Sequence, residues 1–197
     1  MHLDIYWPTP IFSDNFTNIS DDDLKEIENI ILNYKKETEG RVYSNRGGWQ
    51  SKDFNLHNEE NETIKKLFNE ILGRIEGIKT MLDLEDRVGL CNYWYNVNED
   101  ENFNFVHIHP GALFAGVFYV KTIEKNGELS FFRPNSVEDY FYASSRKRKG
   151  NNIIAGSSVN YQPSNKLMLI FPAWLPHTVL PTKSKESRIS IAFNIGT

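Results

Sequence analysis

The sequence predicts an α+β fold, mainly β, with helices first and a strand-built sandwich or barrel after them. Two observations carry that expectation. Between residues 19 and 82 apolar residues recur at three- and four-residue spacing, as on one face of a helix. From about residue 88 they gather instead into short runs separated by Gly, Pro, Asn and Ser, the pattern of successive strands and turns. Helices segregated from strands in this way belong to α+β architecture.

The stretch "ISDDDLKEIENIILNYKKETEG" opens on Asp21 to Asp23 and carries Leu24, Ile27, Ile30, Ile31 and Tyr34 on one face. An acidic first turn, a basic last turn and Gly40 after it predict a helix that ends towards that glycine. In "NETIKKLFNEILGRIEGIKTML" Ile64, Leu67, Ile71, Ile75 and Ile78 form a second such stripe. Strands are then expected in "RVGLCNYWYNV", "FNFVHIHP", "ALFAGVFYVKT", "GELSFF", "NNIIAG", "KLMLIFP" and "RISIAFNI". The stretch from Pro134 to Asn152, with the basic run Arg146 to Lys149, is too long for a plain hairpin and reads as a surface insertion over the strands. No repeat or linker divides the chain, so one domain over 1–197 is expected, helical to about residue 85 and β from about 88.

Composition narrows the function. With 40% hydrophobic and 24% charged residues, the 197-residue chain has the make-up of a globular domain able to bury a full core. A formal net charge of −4 argues against a general nucleic-acid coat. The single cysteine, Cys91, excludes an internal disulfide and suits a reducing compartment. "MHLDIYWPTPIF" lacks the basic-then-apolar order of a signal peptide, and no apolar run is long enough to span a bilayer, so the expected location is the cytoplasm, with no membrane partner.

Three of the five histidines carry the chemical signal. His107 and His109 stand one residue apart, and residues i and i+2 of a strand share a face. Pro110 pushes His109 towards extended angles. Two imidazoles on one face make half of a transition-metal site; taken alone, they fit equally a core histidine beside an exposed one. His177, in "LIFPAWLPHTVLP", is presented by a proline-flanked turn. Eleven residues on, Arg188 begins an apolar strand with Ser190 on its own face. If it faces inward, the guanidinium needs an anion, and a carboxylate gripped by two hydrogen bonds suits it; if outward, it is a solvated edge.

The order His-x-His, long gap, proline-flanked His, Arg-x-Ser resembles the 2-oxoglutarate- and Fe(II)-dependent oxygenases. Within that superfamily it is most similar to a small 2-oxoglutarate-Fe(II) oxygenase family of bacteria and phages. "PTPIF", "SNRGGWQS", "YWYNVN", "HIHPGALFAGVFYVK", "FPAWLPHTV" and "RISIAFN" carry the resemblance along most of the chain. It implies a double-stranded β-helix, a cupin-like jelly roll with the N-terminal helices packed on the barrel. It also implies an enzyme, a dioxygenase that couples oxidative decarboxylation of 2-oxoglutarate to hydroxylation of an unactivated C–H bond, releasing succinate and CO2. Fe(II) is the implied metal, 2-oxoglutarate the cosubstrate and O2 the oxidant. The substrate, a protein side chain or a small molecule, stays open.

Carried over by position, His107 and His177 would ligate Fe(II), with His109 where the superfamily usually has Asp or Glu. Arg188, helped by Ser190 and Tyr119, would hold the remote carboxylate of 2-oxoglutarate, and Asn96 would line that pocket. Trp49 and Gln50 would wall the substrate mouth, unless Trp49 packs helices onto the barrel. The departure matters, because a third neutral imidazole leaves the iron one charge more positive than a carboxylate would. Two other readings stand beside this one. A cupin-like metalloprotein without cosubstrate shares the His-x-His start, although Leu113 and Phe114 sit where common cupins carry a glutamate. A non-catalytic binding module would use the "RKRKG" loop on an acidic partner.

Overall fold

A computed structural model of the chain describes residues 8–85, 87–122, 127–134, 157–181, 183–184 and 186–197. The expected strand in "NNIIAG", and the expected insertion beyond Pro134, lie outside the described residues.

Helix α1, Asp21–Glu37, starts at a reciprocal cap in which the Ser20 hydroxyl accepts from the Asp23 N–H and the Asp23 carboxylate accepts from the Ser20 N–H. It buries Leu24, Ile27 and Ile31. The helix stops three residues short of Gly40, at the extended Thr38, so that glycine is not its terminator. Gly40 takes φ +78° where the chain turns under the Trp49 ring, a conformation and clearance that only glycine meets without strain. Helix α2, Glu62–Leu82, is capped by the Asn61 carboxamide, which accepts from the Thr63 and Ile64 N–H groups. It ends where Asp83 turns left-handed, at φ 53°.

The remaining elements form two antiparallel sheets. The larger runs β1 (Phe12–Asn15), β9 (Leu167–Pro172), β6 (Phe114–Lys121), β11 (Arg188–Gly196), β4 (Gly89–Asn98), β3 (Trp49–Gln50). The smaller runs β2 (Asn45–Arg46), β5 (Phe103–His107), β10 (His177–Val179), β7 (Leu129–Phe132), β8 (Ser158–Tyr161). The N-terminal part thus supplies three short strands as well as the helices. Helices α1 and α2 cover one face of the larger sheet, where Ile27, Ile31, Phe68 and Ile71 pack with Tyr93, Phe118, Ile191 and Phe193. A second apolar cluster joins the sheets to each other through Ala115, Tyr119, Phe131, Leu169 and Phe171.

Period-two alternation decides what lies between the sheets. On β4, Tyr93, Tyr95 and Val97 face the helices, so Asn92, Trp94, Asn96 and Asn98 face the other way. On β11, Ile189, Ile191, Phe193 and Ile195 face the helices, leaving Arg188, Ser190, Ala192 and Asn194 opposite. The register sets these residues side by side as Arg188 with Asn98, Ser190 with Asn96 and Asn194 with Asn92.

Candidate metal centre

A cavity of about 340 Å³ opens between the sheets and takes in the polar faces of β4 and β11. The three histidines singled out by sequence meet in it: His107, His109 and His177 each offer a ring nitrogen, and these atoms lie within 4.8 Å of one another. Their positions differ from expectation in two respects. His107 is the last residue of β5, so His109 lies beyond the strand; its N–H donates to the Ala173 carbonyl at 2.9 Å. His177 opens β10 instead of sitting in the proline-flanked turn, and its backbone pairs with both His107 and Phe131. The histidine contributed by β10 is therefore locked by ladders on both sides.

The three rings converge through Nε2. The Nδ1 of His107 lies 2.7 Å from the Phe105 carbonyl oxygen, and that of His177 lies 2.8 Å from the Leu175 carbonyl oxygen. A carbonyl only accepts, so both Nδ1 atoms carry the proton and both Nε2 atoms present a lone pair. The Nδ1 of His109 meets the Asn194 Oδ1 at 2.8 Å, and its Nε2 stands 3.2 Å from the Nε2 of His177. Three ring nitrogens this close together suit a shared cation. Burial depresses the basicity of all three rings; His109 is brought down to about 4 and His177 to about 3, the latter also by His107. Neutral imidazole is the form that binds a metal.

Arg188 occupies another part of the same cavity and faces inward. It is 2% exposed, and its guanidinium donates to the Gly127 carbonyl at 2.8 Å, while its Nε has no partner. No carboxylate among the described residues pairs with it, and burial pulls its basicity down. Such a charge is costly to leave uncompensated. Ser190 and Asn96 line the cavity alongside, and Tyr119 is buried within the field of Arg188 and opposite Ser190 in the ladder. The donor set suits a carboxylate entering from the cavity.

Gln50 lines the cavity, buried, while Trp49 does not: its indole N–H donates to the Thr38 carbonyl at 3.1 Å and its ring packs edge-on against Tyr34. Trp49 is therefore a helix-packing residue. Sequence reasoning passed over Asn92, Trp94, Asn98 and Asn194. Their signal was present, because polar residues alternate with apolar ones along most of 92–98 and 188–194, which marks strands whose two faces meet different surroundings.

Comparison with known proteins gives a family and a fold. Residues 92–194 match the family described as Putative 2OG-Fe(II) oxygenase. Among solved structures, the chain is similar to a Pseudomonas putida prolyl-4-hydroxylase, with TM-score 0.67 at 13% identity over 96% of this chain and 94% of that one. It is also similar to a viral collagen prolyl hydroxylase from Paramecium Bursaria Chlorella virus-1 in its 2OG complex, with TM-score 0.62 at 14% identity over 94% of each chain. HygX from Streptomyces hygroscopicus, with nickel and 2-oxoglutarate bound, gives TM-score 0.60 at 9% identity over 96% of this chain and 83% of that one. At these identities the likeness is one of fold. No curated protein matches the chain in sequence. No helix among the described residues is long and apolar enough to cross a membrane.

Proposed function

The chain belongs to this 2OG-Fe(II) oxygenase family, and on that premise we propose that it is an Fe(II)- and 2-oxoglutarate-dependent dioxygenase that hydroxylates an unactivated C–H bond. The two facing sheets are read as the family's double-stranded β-helix. His107, His109 and His177 would hold the iron through Nε2, and Arg188, with Ser190, Tyr119 and Asn96, would hold the remote carboxylate of the cosubstrate. The observation that carries the reading is the unpartnered, buried Nε of Arg188 in the cavity that also holds three converging imidazoles. A metal site alone would leave the arginine unexplained, and this counts against a cupin-like site that uses no anionic cosubstrate.

When bound, the iron and 2-oxoglutarate supply the oxidising chemistry, with succinate and CO2 as the cosubstrate's products. The chain's own residues orient and enclose. His107, His109 and His177 would hold the ion from the β5–β10 side of the cavity. Arg188 neutralises the far end of a dicarboxylate and fixes its direction towards that ion. Trp94, stacked at 5.8 Å from the His109 ring, and Phe171, edge-on to the His177 ring, pack against these two imidazoles and hold their planes.

The test is conversion of carbon-labelled 2-oxoglutarate to succinate by purified, Fe(II)-loaded protein, with fractionated cell extract as the substrate source. The expected result is metal-dependent succinate formation that a fraction stimulates. Failure of 2-oxoglutarate to bind the metal-loaded protein at millimolar concentration would overturn the proposal in favour of the cupin-like reading.

A further inference from the structure

Two of the three imidazoles are fixed by main chain and one is not. His107 and His177 donate Nδ1–H to the carbonyl oxygens of Phe105 and Leu175, partners that no substitution removes. His109 has only a side chain to do this, the Oδ1 of Asn194 at 2.8 Å. Asn194 is fixed in its turn: its Nδ2 donates to the Oδ1 of Asn92 at 2.9 Å. Asn92 and Asn194 stand directly opposite each other in the β4–β11 ladder, on its cavity face.

From this geometry we infer that Asn194, braced by Asn92, is the positioning residue that makes His109 a metal ligand. The inference rests on the metal-site reading above and deepens it. Imidazole can carry its proton on either nitrogen, and only the Nδ1–H form leaves Nε2 free for an ion. An amide can be built in either of two orientations, and its neighbours decide which. One direction of this chain of bonds suits a metal ligand: His109 Nδ1–H to Asn194 Oδ1, then Asn194 Nδ2–H to Asn92 Oδ1, with Nε2 left free for an ion. Reversing the first bond would require both amides to turn over and would protonate the Nε2 that faces His177.

The brace also explains why this position tolerates a histidine where the superfamily usually has a carboxylate. A side chain on β11 reaches behind position 109 and supplies the acceptor that a ligating histidine needs. Because that acceptor is an uncharged amide, His109 stays a neutral donor and a divalent ion keeps its full charge in a three-imidazole setting. His109 lies beyond the end of β5, so no ladder holds it as β10 holds His177. Its ring direction depends on Asn194 and on the flanking Trp94 and Phe171 rings.

The test uses Co(II) as the probe, because its visible absorption reports the number and arrangement of nitrogen ligands without any turnover. Asn194→Leu keeps the side chain's bulk and removes the acceptor. It should weaken Co(II) binding by about 10- to 100-fold, the usual cost of losing an outer hydrogen bond to a ligating histidine, and alter the absorption bands. Asn194→Asp keeps an acceptor at the same place, and Asn92 can turn its amide to donate to it, since among the described residues that amide makes no other side-chain hydrogen bond. This variant should bind within about threefold of the parent and with its spectrum. Asn92→Leu should fall between the two. Thermal melting of each metal-free protein separates folding from positioning.

Parental Co(II) affinity and spectrum in Asn194→Leu would overturn the inference. So would failure of the folded Asn194→Asp variant to the same degree as Asn194→Leu. If Asn194→Leu does not fold, the aspartate variant and Asn92→Leu still decide, by a retained spectrum in the first and a changed one in the second. A parent protein that binds no Co(II) would instead overturn the metal-site reading from which the inference starts.

Discussion

On β4 and β11, alternate residues meet different surroundings. Tyr93, Tyr95, Val97, Ile189, Ile191 and Phe193 turn towards α1 and α2, whereas Asn92, Trp94, Asn96, Asn98, Arg188, Ser190 and Asn194 turn into the cavity. Burial separates the two sets only in part: Asn92, Trp94, Asn96 and Asn194 are half-buried, but the rest of the cavity set is buried. Arg188 at 2%, Asn98 at 3% and Ser190 at 5% exposed are hidden as well as Tyr95 at 3%. What separates them is whether the chain itself supplies partners. The helix face is filled: Phe54, Phe68, Tyr93 and Tyr95 contact one another ring to ring, and the Tyr93 hydroxyl donates to Glu59. The cavity face is unfilled, with the guanidinium Nε of Arg188 unpartnered. One face is finished by folding and the other is left for a ligand to finish. Substitutions on the two faces should therefore have separable consequences.

The largest separation is expected at Arg188. Arg188→Met should lower 2-oxoglutarate affinity of the metal-loaded protein by more than about a hundredfold, from a loss of about 3–5 kcal/mol when one partner of a buried ion pair is removed. The same change removes a buried charge that has no counter-ion among the described residues. The metal-free protein should then melt at the parent's temperature or above it. Calorimetric titration and a melting curve on one preparation check both signs. Unchanged affinity, or a large drop in melting temperature, would show that the arginine is a structural member.

Phe193 tests the other face of the same strand. Its ring lies over Gly116, where even a methyl group would collide with it, and stands edge-on to Phe68. Phe193→Ala should cost about 3–5 kcal/mol in urea unfolding, through lost burial and the void left behind. Metal affinity of the folded fraction should stay near the parent's, although Asn194 is the next residue. A selective loss of metal binding without loss of stability would break the division between the faces.

The cavity also carries a pH signature on the acid side, from its histidines. In the unfolded chain the histidines protonate near 6.5, while the fold keeps His109 neutral down to about 4 and His177 down to about 3. Between those values the unfolded chain binds more protons, so stability rises with pH there. This contribution is complete above pH 6.5 and is lost as pH falls. Urea unfolding of metal-free protein from pH 4 to 7 should show a smaller rise for His177→Gln than for the parent. Equal slopes would mean that His177 is no more protected in the fold than in the unfolded chain.

How far the sequence disclosed this arrangement depended on the range of the interaction that fixed each part. Both helices were legible because their apolar stripes are local, although Gly40 does not mark the end of α1 and the caps Ser20 and Asn61 went unread. β4, β6, β7, β9 and β11 were legible as apolar runs. The two-residue β2 and β3 and the three-residue β10 were not, since so short a strand exists only through its neighbours. β8, "SVNY", has too little apolar character to stand out. The convergence of His107, His109 and His177 followed from motif order, but the end of the strand at His107 did not. The brace from Asn92 through Asn194 to His109 was hidden because it needs the β4–β11 register, and asparagine in a sequence reads first as a turn signal.

Tyr119 gives the finest cut, between two residues on the same side of the division. It lies on β6 opposite Ser190, is 2% exposed, and sits where the charge of Arg188 acts on its hydroxyl. If the hydroxyl helps to hold the remote carboxylate, Tyr119→Phe removes one neutral hydrogen bond and leaves the charge pair intact. Such a bond contributes about 0.5–1.5 kcal/mol, so 2-oxoglutarate affinity should fall by only about two- to tenfold. Co(II) binding should be unchanged, because the tyrosine belongs to the arginine's part of the cavity and not to the cluster of imidazoles. Stability should barely move, since the ring keeps its place in the apolar cluster between the sheets. A loss as deep as that of Arg188→Met would mean that the hydroxyl orients the guanidinium itself. No loss at all would remove Tyr119 from the binding residues and leave the carboxylate to Arg188, Ser190 and Asn96.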